Sequence, residues 1–241
     1  MYLWHSREVV DSMNALLDFI ADPHNNFMGQ SITYLRICAI SIMLAIVIGV
    51  VLAVAVSRSP VLSFIAVNLS GLLRAIPVIA FLVAVVPFLG IGAPPATVAL
   101  VILGIPPILL NTYTGIRGID PATIDAAKGM GMTYWQILTR IQAPLILPIV
   151  AAGVRTSAVQ IVATATLAAI TGAGGYGAYI FDGFNTFNKT AILAGAIPVA
   201  VLALIIEVAM GWLERALTPV GIRREAVQHQ MVVKQGEVAK A

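Results

Sequence analysis

Long apolar runs separated by short polar punctuation dominate the chain. A membrane crossing needs about 20 apolar residues, and five stretches reach that length: 37–56, 61–86, 97–116, 145–170 and 191–213. The first lies between Arg36 and the polar Ser57-Arg58-Ser59-Pro60. The second carries Arg74 and Pro77 in its middle and closes at Pro87 and the turn-rich residues Gly90 to Pro95. The third contains Pro106-Pro107, a pair predicted to break or kink its helix. A polar segment, 117–144, separates the third span from the fourth, and a loop at 171–190 separates the fourth from the fifth. Ahead of the spans, Val9, Val10, Met13, Leu16, Leu17 and Ile20 recur at helical spacing opposite Arg7, Asp11, Asn14 and Asp18. Residues 1–30 therefore hold an amphipathic helix, on the membrane surface or packed on the bundle. Residues 218–241 are a polar tail of mixed charge. The pattern predicts an all-α integral membrane protein whose spanning region covers 31–217.

Composition agrees. The chain is 59% hydrophobic and only 10% charged, with a mean hydropathy of +0.95, values of the membrane class. Its net charge of +3 is small and scattered, which argues against a nucleic-acid partner. The one cysteine, Cys38, sits in an apolar run and reads as a small buried hydrophobe. No spacing suits a metal, and the three histidines, His5, His24 and His229, lie far apart in the terminal regions. No cleavable leader is evident, because Glu8, Asp11, Asp18 and Asp22 stand against Arg7 in the first 30 residues.

Charge sets the orientation. Five spans put the two ends on opposite sides of the membrane. With the N-terminus outside, the cytoplasmic segments hold Arg58, Arg117, Lys128, Arg140, Arg215, Arg223, Arg224, Lys234 and Lys240. The outer segments hold only Arg7 and Lys189, with Arg36 at the outer boundary. The positive-inside rule therefore places 117–144 in the cytoplasm of a plasma or inner membrane protein.

That polar segment has the signals of two short helices. Asp120 can N-cap the first, with Pro121 at its first position. Ala122, Ala126 and Ala127 offer a smooth face to a partner, and Gly129 and Gly131 end the helix. Thr133 with Gln136 makes a capping box that starts the second. The run Asp125-Ala126-Ala127, then Gly131, then Ile141, Ala143 and Pro144, resembles the E-A-A-x3-G-x9-I-x-L-P loop of ATP-binding-cassette (ABC) importer permeases, with every spacing kept. Asp125 stands where Glu is usual and Ala143 where Leu is usual.

The resemblance extends from about Thr33 to Gly221. Arg74-Ala75-Ile76-Pro77, the run Asn111 to Asp120, Gly172 to Gly177 and Leu217-Thr218-Pro219 look like permeases of the glycine betaine, carnitine and choline importers. Methionine importer permeases share the Arg-x-Ile-Pro, loop and glycine-cluster features, so the alternative is a permease for another small solute such as methionine or a polar amino acid. The resemblance implies a five-span, methionine-importer-like bundle whose loop is a coupling helix docked on a cytoplasmic ATPase. It further implies a second permease subunit, identical or homologous, and an external substrate-binding protein. ATP and Mg would be held by the ATPase and no cofactor by this chain, which would not itself be an enzyme. The glycine cluster Gly172, Gly174, Gly175 and Gly177 lacks the Gly-Lys-Ser/Thr ending of a phosphate-binding loop. It reads as a tight external turn whose position makes it a docking surface for the binding protein.

Three ionisable residues lie inside predicted spans: Arg74, Arg155 and Glu207. Each needs a partner or a water-filled cavity. Arg155 and Glu207 sit at similar depth and are expected to pair, with Arg74 a less favoured partner; Arg74 beside Pro77 is open to a pathway or a hinge role. A quaternary ammonium ion is commonly held by an aromatic cage, and the sequence shows no aromatic cluster within its spans. Two other classes compete: a secondary transporter, which would normally show inverted repeats, and a membrane scaffold that docks a soluble partner.

Overall fold

The computed structural model describes residues 13–217. Residues 218–241 and the first part of the N-terminal amphipathic pattern, with Arg7, Val9, Val10 and Asp11, lie outside the described residues, as do His5 and His229. The described chain is built from helices: α1 (13–21), α2 (Phe27–Val56), α3 (Pro60–Ala75), α4 (Val78–Leu89), α5 (Ala93–Arg117), α6 (Pro121–Gly129), α7 (Tyr134–Ile137), α8 (Ala143–Thr164), α9 (Tyr176–Thr186) and α10 (Lys189–Leu217). Four helical stretches are long and apolar enough to cross a membrane, and a fifth exists if α3 and α4 count as one broken span.

At the centre is α5, packed between α2 and α8, with α10 against the far side of α8. It is the most buried of the long helices, because small residues let its neighbours approach closely. A side chain at Gly104 would meet Ile161, Ser157 and Ala45, and one at Gly153 would meet the Asn111 side chain and the Pro107 carbonyl. Ser157 Oγ donates to the Gly104 carbonyl at 2.9 Å, a direct tie between α8 and α5.

One end of the bundle, the glycine end, gathers α1, the start of α2, the α4–α5 turn and α9. Gly172, Gly174 and Gly175 have φ of +75°, +77° and +82°, a left-handed run that turns the chain sharply after the 3-10 segment Ala165–Thr171. Gly92 N–H donates to the Thr171 carbonyl at 2.7 Å, and Gln30 Oε1 accepts from Gly175 N–H at 2.5 Å. Gly177 has no room for a side chain, since a Cβ would stand 1.9 Å from the Thr166 carbonyl oxygen. The opposite end, the loop end, carries the 57–59 corner and the polar segment 117–144.

Several expectations change. The first apolar run begins a longer helix, at Phe27, because Asn26 with φ +47° ends the preceding turn there. The stretch 61–86 is two helices bent by 95°, since Ile76 is extended ahead of Pro77, as a residue preceding proline prefers. Pro106 and Pro107 do not break α5, which runs unbroken through both. Both prolines are fully buried, and tertiary packing on two sides holds the helix where they remove its own hydrogen bonds. The stretch 171–190 is mostly helix: α9 spans 11 residues, about 16 Å at 1.5 Å per residue, too short to cross a membrane. Its glycines Gly177 and Gly183 let it lie tight on its neighbours. Outside the predicted spans, and so consistent with their lack of an aromatic cluster, Phe19, Phe27, Tyr34, Tyr176 and Tyr179 pack together, with ring centroids 4.8 to 6.0 Å apart. The rings come from three separate segments, so no window of sequence contains them all.

Candidate functional site

The polar loop is built by its local chemistry. Asp120 Oδ1 accepts from Ala122 N–H at 2.9 Å, and Pro121 follows at the first position of α6. Met132 N–H then reaches the Ala127 carbonyl while Gly131 N–H reaches that of Lys128, which is a Schellman ending. Gly131, with φ +78°, is the left-handed residue that ending requires. The Thr133–Gln136 capping box closes in both directions, at 2.7 and 3.4 Å. Between α7 and α8 the helix widens into a π turn, Leu138–Gln142. Pro144 accounts for the widening: it cannot donate to the Arg140 carbonyl and would clash with it, so Ala143 N–H bonds Leu138 instead.

Exposure sorts the loop residues. Asp125 and Ala126 are exposed, and Asp125 forms a surface ion pair with Lys128 at 3.1 Å. Ala127 is only 1% exposed and packs into the chain. The expected smooth face of Ala122, Ala126 and Ala127 is therefore split: residues four apart share a face, whereas Ala127 lies about 100° further round. Gly131 and Pro144 are exposed and Ile141 is half-buried in the π turn. Met130 and Trp135, 73% and 61% exposed, add apolar surface at the same end.

The second site lies between α8 and α10. Arg155 Nη2 meets Glu207 Oε1, and its Nη1 meets Glu214 Oε2 at 3.1 Å. Glu207, Gly211 and Glu214 are spaced i, i+4, i+7 along one face of α10. Gly211 leaves room for the guanidinium, whose Cζ lies 3.5 Å from where a Cβ would stand. The sequence reading anticipated Arg155 with Glu207 and missed Glu214 and Gly211. The seven-residue spacing of the two glutamates was the available signal, hidden because Glu214 falls just past the apolar run. These charges line an open groove of about 470 Å³ together with Thr156 and Gln160. Arg74 is not part of it: it is exposed on α3 at the break, and among the described residues no acidic side chain pairs with it.

The aromatic cluster is not an open cage. Tyr34 OH donates to the Val162 carbonyl, Tyr176 OH to Ser31 Oγ at 2.9 Å and Tyr179 OH to the Asn25 carbonyl at 2.6 Å. The rings are packed on one another, leaving no space for a cation between their faces.

Residues 45–219 match the family described as the inner membrane component of binding-protein-dependent transport systems. The chain is 40% identical over 211 residues to a carnitine transport permease protein, OpuCB, of Listeria monocytogenes, covering 88% of this chain and 97% of that one. It is 36% identical, at the same coverage, to the glycine betaine/carnitine/choline transport system permease protein OpuCB of Bacillus subtilis (strain 168). A choline transport permease, OpuBB, of the same organism is 34% identical over 88% of this chain and 98% of its own. Among solved structures, the MetNI methionine ABC transporter in inward-facing form has the same fold, with a TM-score of 0.72, 23% identity, and 83% of this chain and all of that one covered.

Proposed function

The chain belongs to the family of inner membrane components of binding-protein-dependent transport systems, and we propose that it is the permease subunit of an ABC importer for glycine betaine, choline, carnitine or similar osmoprotectants. The observation that carries this reading is its similarity to such permeases along nearly the whole chain, at 40% identity over 88% of it. The geometry adds a docking element. Asp125 and Ala126 stand exposed on a short, doubly capped helix at the end of the bundle where Arg58, Arg117 and Arg140 collect.

In this reading a cytoplasmic ATPase, holding ATP and Mg, grips α6 and drives alternating access. Charged groups at membrane depth exclude lipid as the neighbour of the α8–α10 groove. That groove therefore faces the solute pathway or the second permease subunit. Arg155, held between Glu207 and Glu214, fixes α8 against α10 there. The N-terminus lies outside and the glycine end, with Gly172, Gly174, Gly175 and Gly177, meets the external binding protein. The packed aromatic cluster leaves quaternary ammonium recognition to that protein.

The test is uptake of radiolabelled glycine betaine and choline by cells expressing the chain with its neighbouring genes, with and without Ala126→Asp. Because Ala126 is exposed, the added charge spoils docking without entering the core. Energy-dependent uptake abolished by this change supports both the docking role and the solute class. Uptake unaffected by it rejects the docking role, and an assembled, ATP-hydrolysing complex that moves neither solute rejects the solute class.

A further inference from the structure

Arg58 occupies the three-residue corner between α2 and α3, far in sequence from the polar loop. Its guanidinium carbon lies 4.4 Å from the ring centre of Tyr134 and 5.1 Å from that of Trp135. The two rings meet edge to face, 5.7 Å apart at 78°, so the guanidinium caps a ready-made aromatic pair. Among the described residues no carboxylate pairs with Arg58.

Both partners of this contact are firmly tied to larger elements. On one side, Ser59 caps α3, and the Ser63 hydroxyl shares its one proton between the carbonyls of Val56 and Ser59, at 3.0 and 2.9 Å. The corner is therefore tied to the start of α3 as well as to the end of α2. On the other side, Tyr134 and Trp135 are the first two residues of α7, locked by the capping box directly after the Gly131 turn. The far end of α3 is the 95° break at Ile76-Pro77, where the chain leaves α3 and turns into α4.

We propose that Arg58 is a positioning residue: a cation–π clasp by which α3 follows the polar loop, carrying a displacement of α6 and α7 to the break at Ile76-Pro77. This rests on the reading of the loop as the ATPase-docking element. A surface arginine present only for membrane orientation would be replaceable by lysine, which keeps the charge but lacks the planar stacking group.

The experiment uses the full importer, with its ATPase and binding protein, in liposomes, and reads choline or glycine betaine taken up per ATP hydrolysed. Arg58→Ala should lower that ratio several-fold with the complex intact, and Arg58→Lys should restore it only in part. Adding Tyr134→Ala and Trp135→Ala to Arg58→Ala should cause little further loss, because the clasp is already open. An unchanged ratio in Arg58→Ala, full recovery by lysine, or additive losses in the combined variant would each overturn the proposal. If Arg58→Ala does not assemble, Arg58→Lys alone decides, since a wild-type ratio in it rejects the clasp. Ala126→Asp runs alongside: uptake that survives it overturns the docking reading and the clasp with it, whereas uptake lost there but normal in Arg58→Ala overturns the clasp alone.

Discussion

At the loop end, the hydrogen bonds that shape α6 and α7 join residues two to five positions apart, such as Asp120 with Ala122, Lys128 with Gly131 and Ala127 with Met132. At the glycine end the defining bonds join residues 79 to 154 positions apart: Thr171 with Gly92, Gln30 with Gly175, Ser31 with Tyr176 and Asn25 with Tyr179. The loop end is thus a locally determined unit, its turns and caps set within a few residues. The glycine end is a tertiary lock in which α1, α2, α5 and α9 hold one another. Between them, Arg155 ties α8 to α10.

If that contrast holds, changes at the glycine end should lower global stability, and changes at the loop end should impair coupling at nearly constant stability. The largest effect is expected from Gly177→Ala, whose Cβ would strike the Thr166 backbone. Overpacking against backbone should destabilise by about 3 kcal/mol, read as a collapsed yield or a much lower Tm in detergent, while Gly71→Ala, with open space around it inside α3, leaves Tm unchanged or slightly raised. Next, Arg155→Gln should lower Tm more than Glu207→Gln or Glu214→Gln, because it alone strips both carboxylates of this partner; equal effects from all three would show that the arginine is not the hub. Gly131→Ala places a Cβ on a left-handed residue and should cost about 1 kcal/mol locally, seen as reduced uptake with little change in Tm. Tyr179→Phe removes the bond to Asn25 and should shift global unfolding by about 1 kcal/mol. Thr133→Ala comes last, at roughly 0.5–1 kcal/mol, detectable as faster amide exchange confined to α7. A global Tm loss from Thr133→Ala or Gly131→Ala, or a silent Tyr179→Phe, would erase the distinction between the two ends.

The same division explains which features could be read in advance. The Asp120 cap, the Gly131 stop and the Thr133–Gln136 box are contained in short windows, and the structure has all three where the residues predict them. Arg155 with Glu207 was legible because charges at similar membrane depth have few alternatives. The stretch 61–86 read as one span, and its 95° bend at Pro77 is seen only in the structure; conversely, the break expected at Pro106-Pro107 is absent, where burial against α2 and α8 keeps α5 helical. The orientation of Ala127 was misread because a run of alanines looks uniform until the helix phase is set by what it packs on.

By itself, the sequence determined that this is a helical membrane bundle, where its polar loop lies and how that loop is capped, because apolar run length and cap chemistry act over a few residues. Only the tertiary structure decided that 171–190 folds into α9, that five aromatic rings close the glycine end and that Arg58 meets Tyr134 and Trp135. It also decided that Glu214 joins Arg155. Each of these depends on which surfaces meet across the bundle, and that is set by the mutual fit of small residues on α2, α5, α8 and α10 rather than by any local preference of the chain.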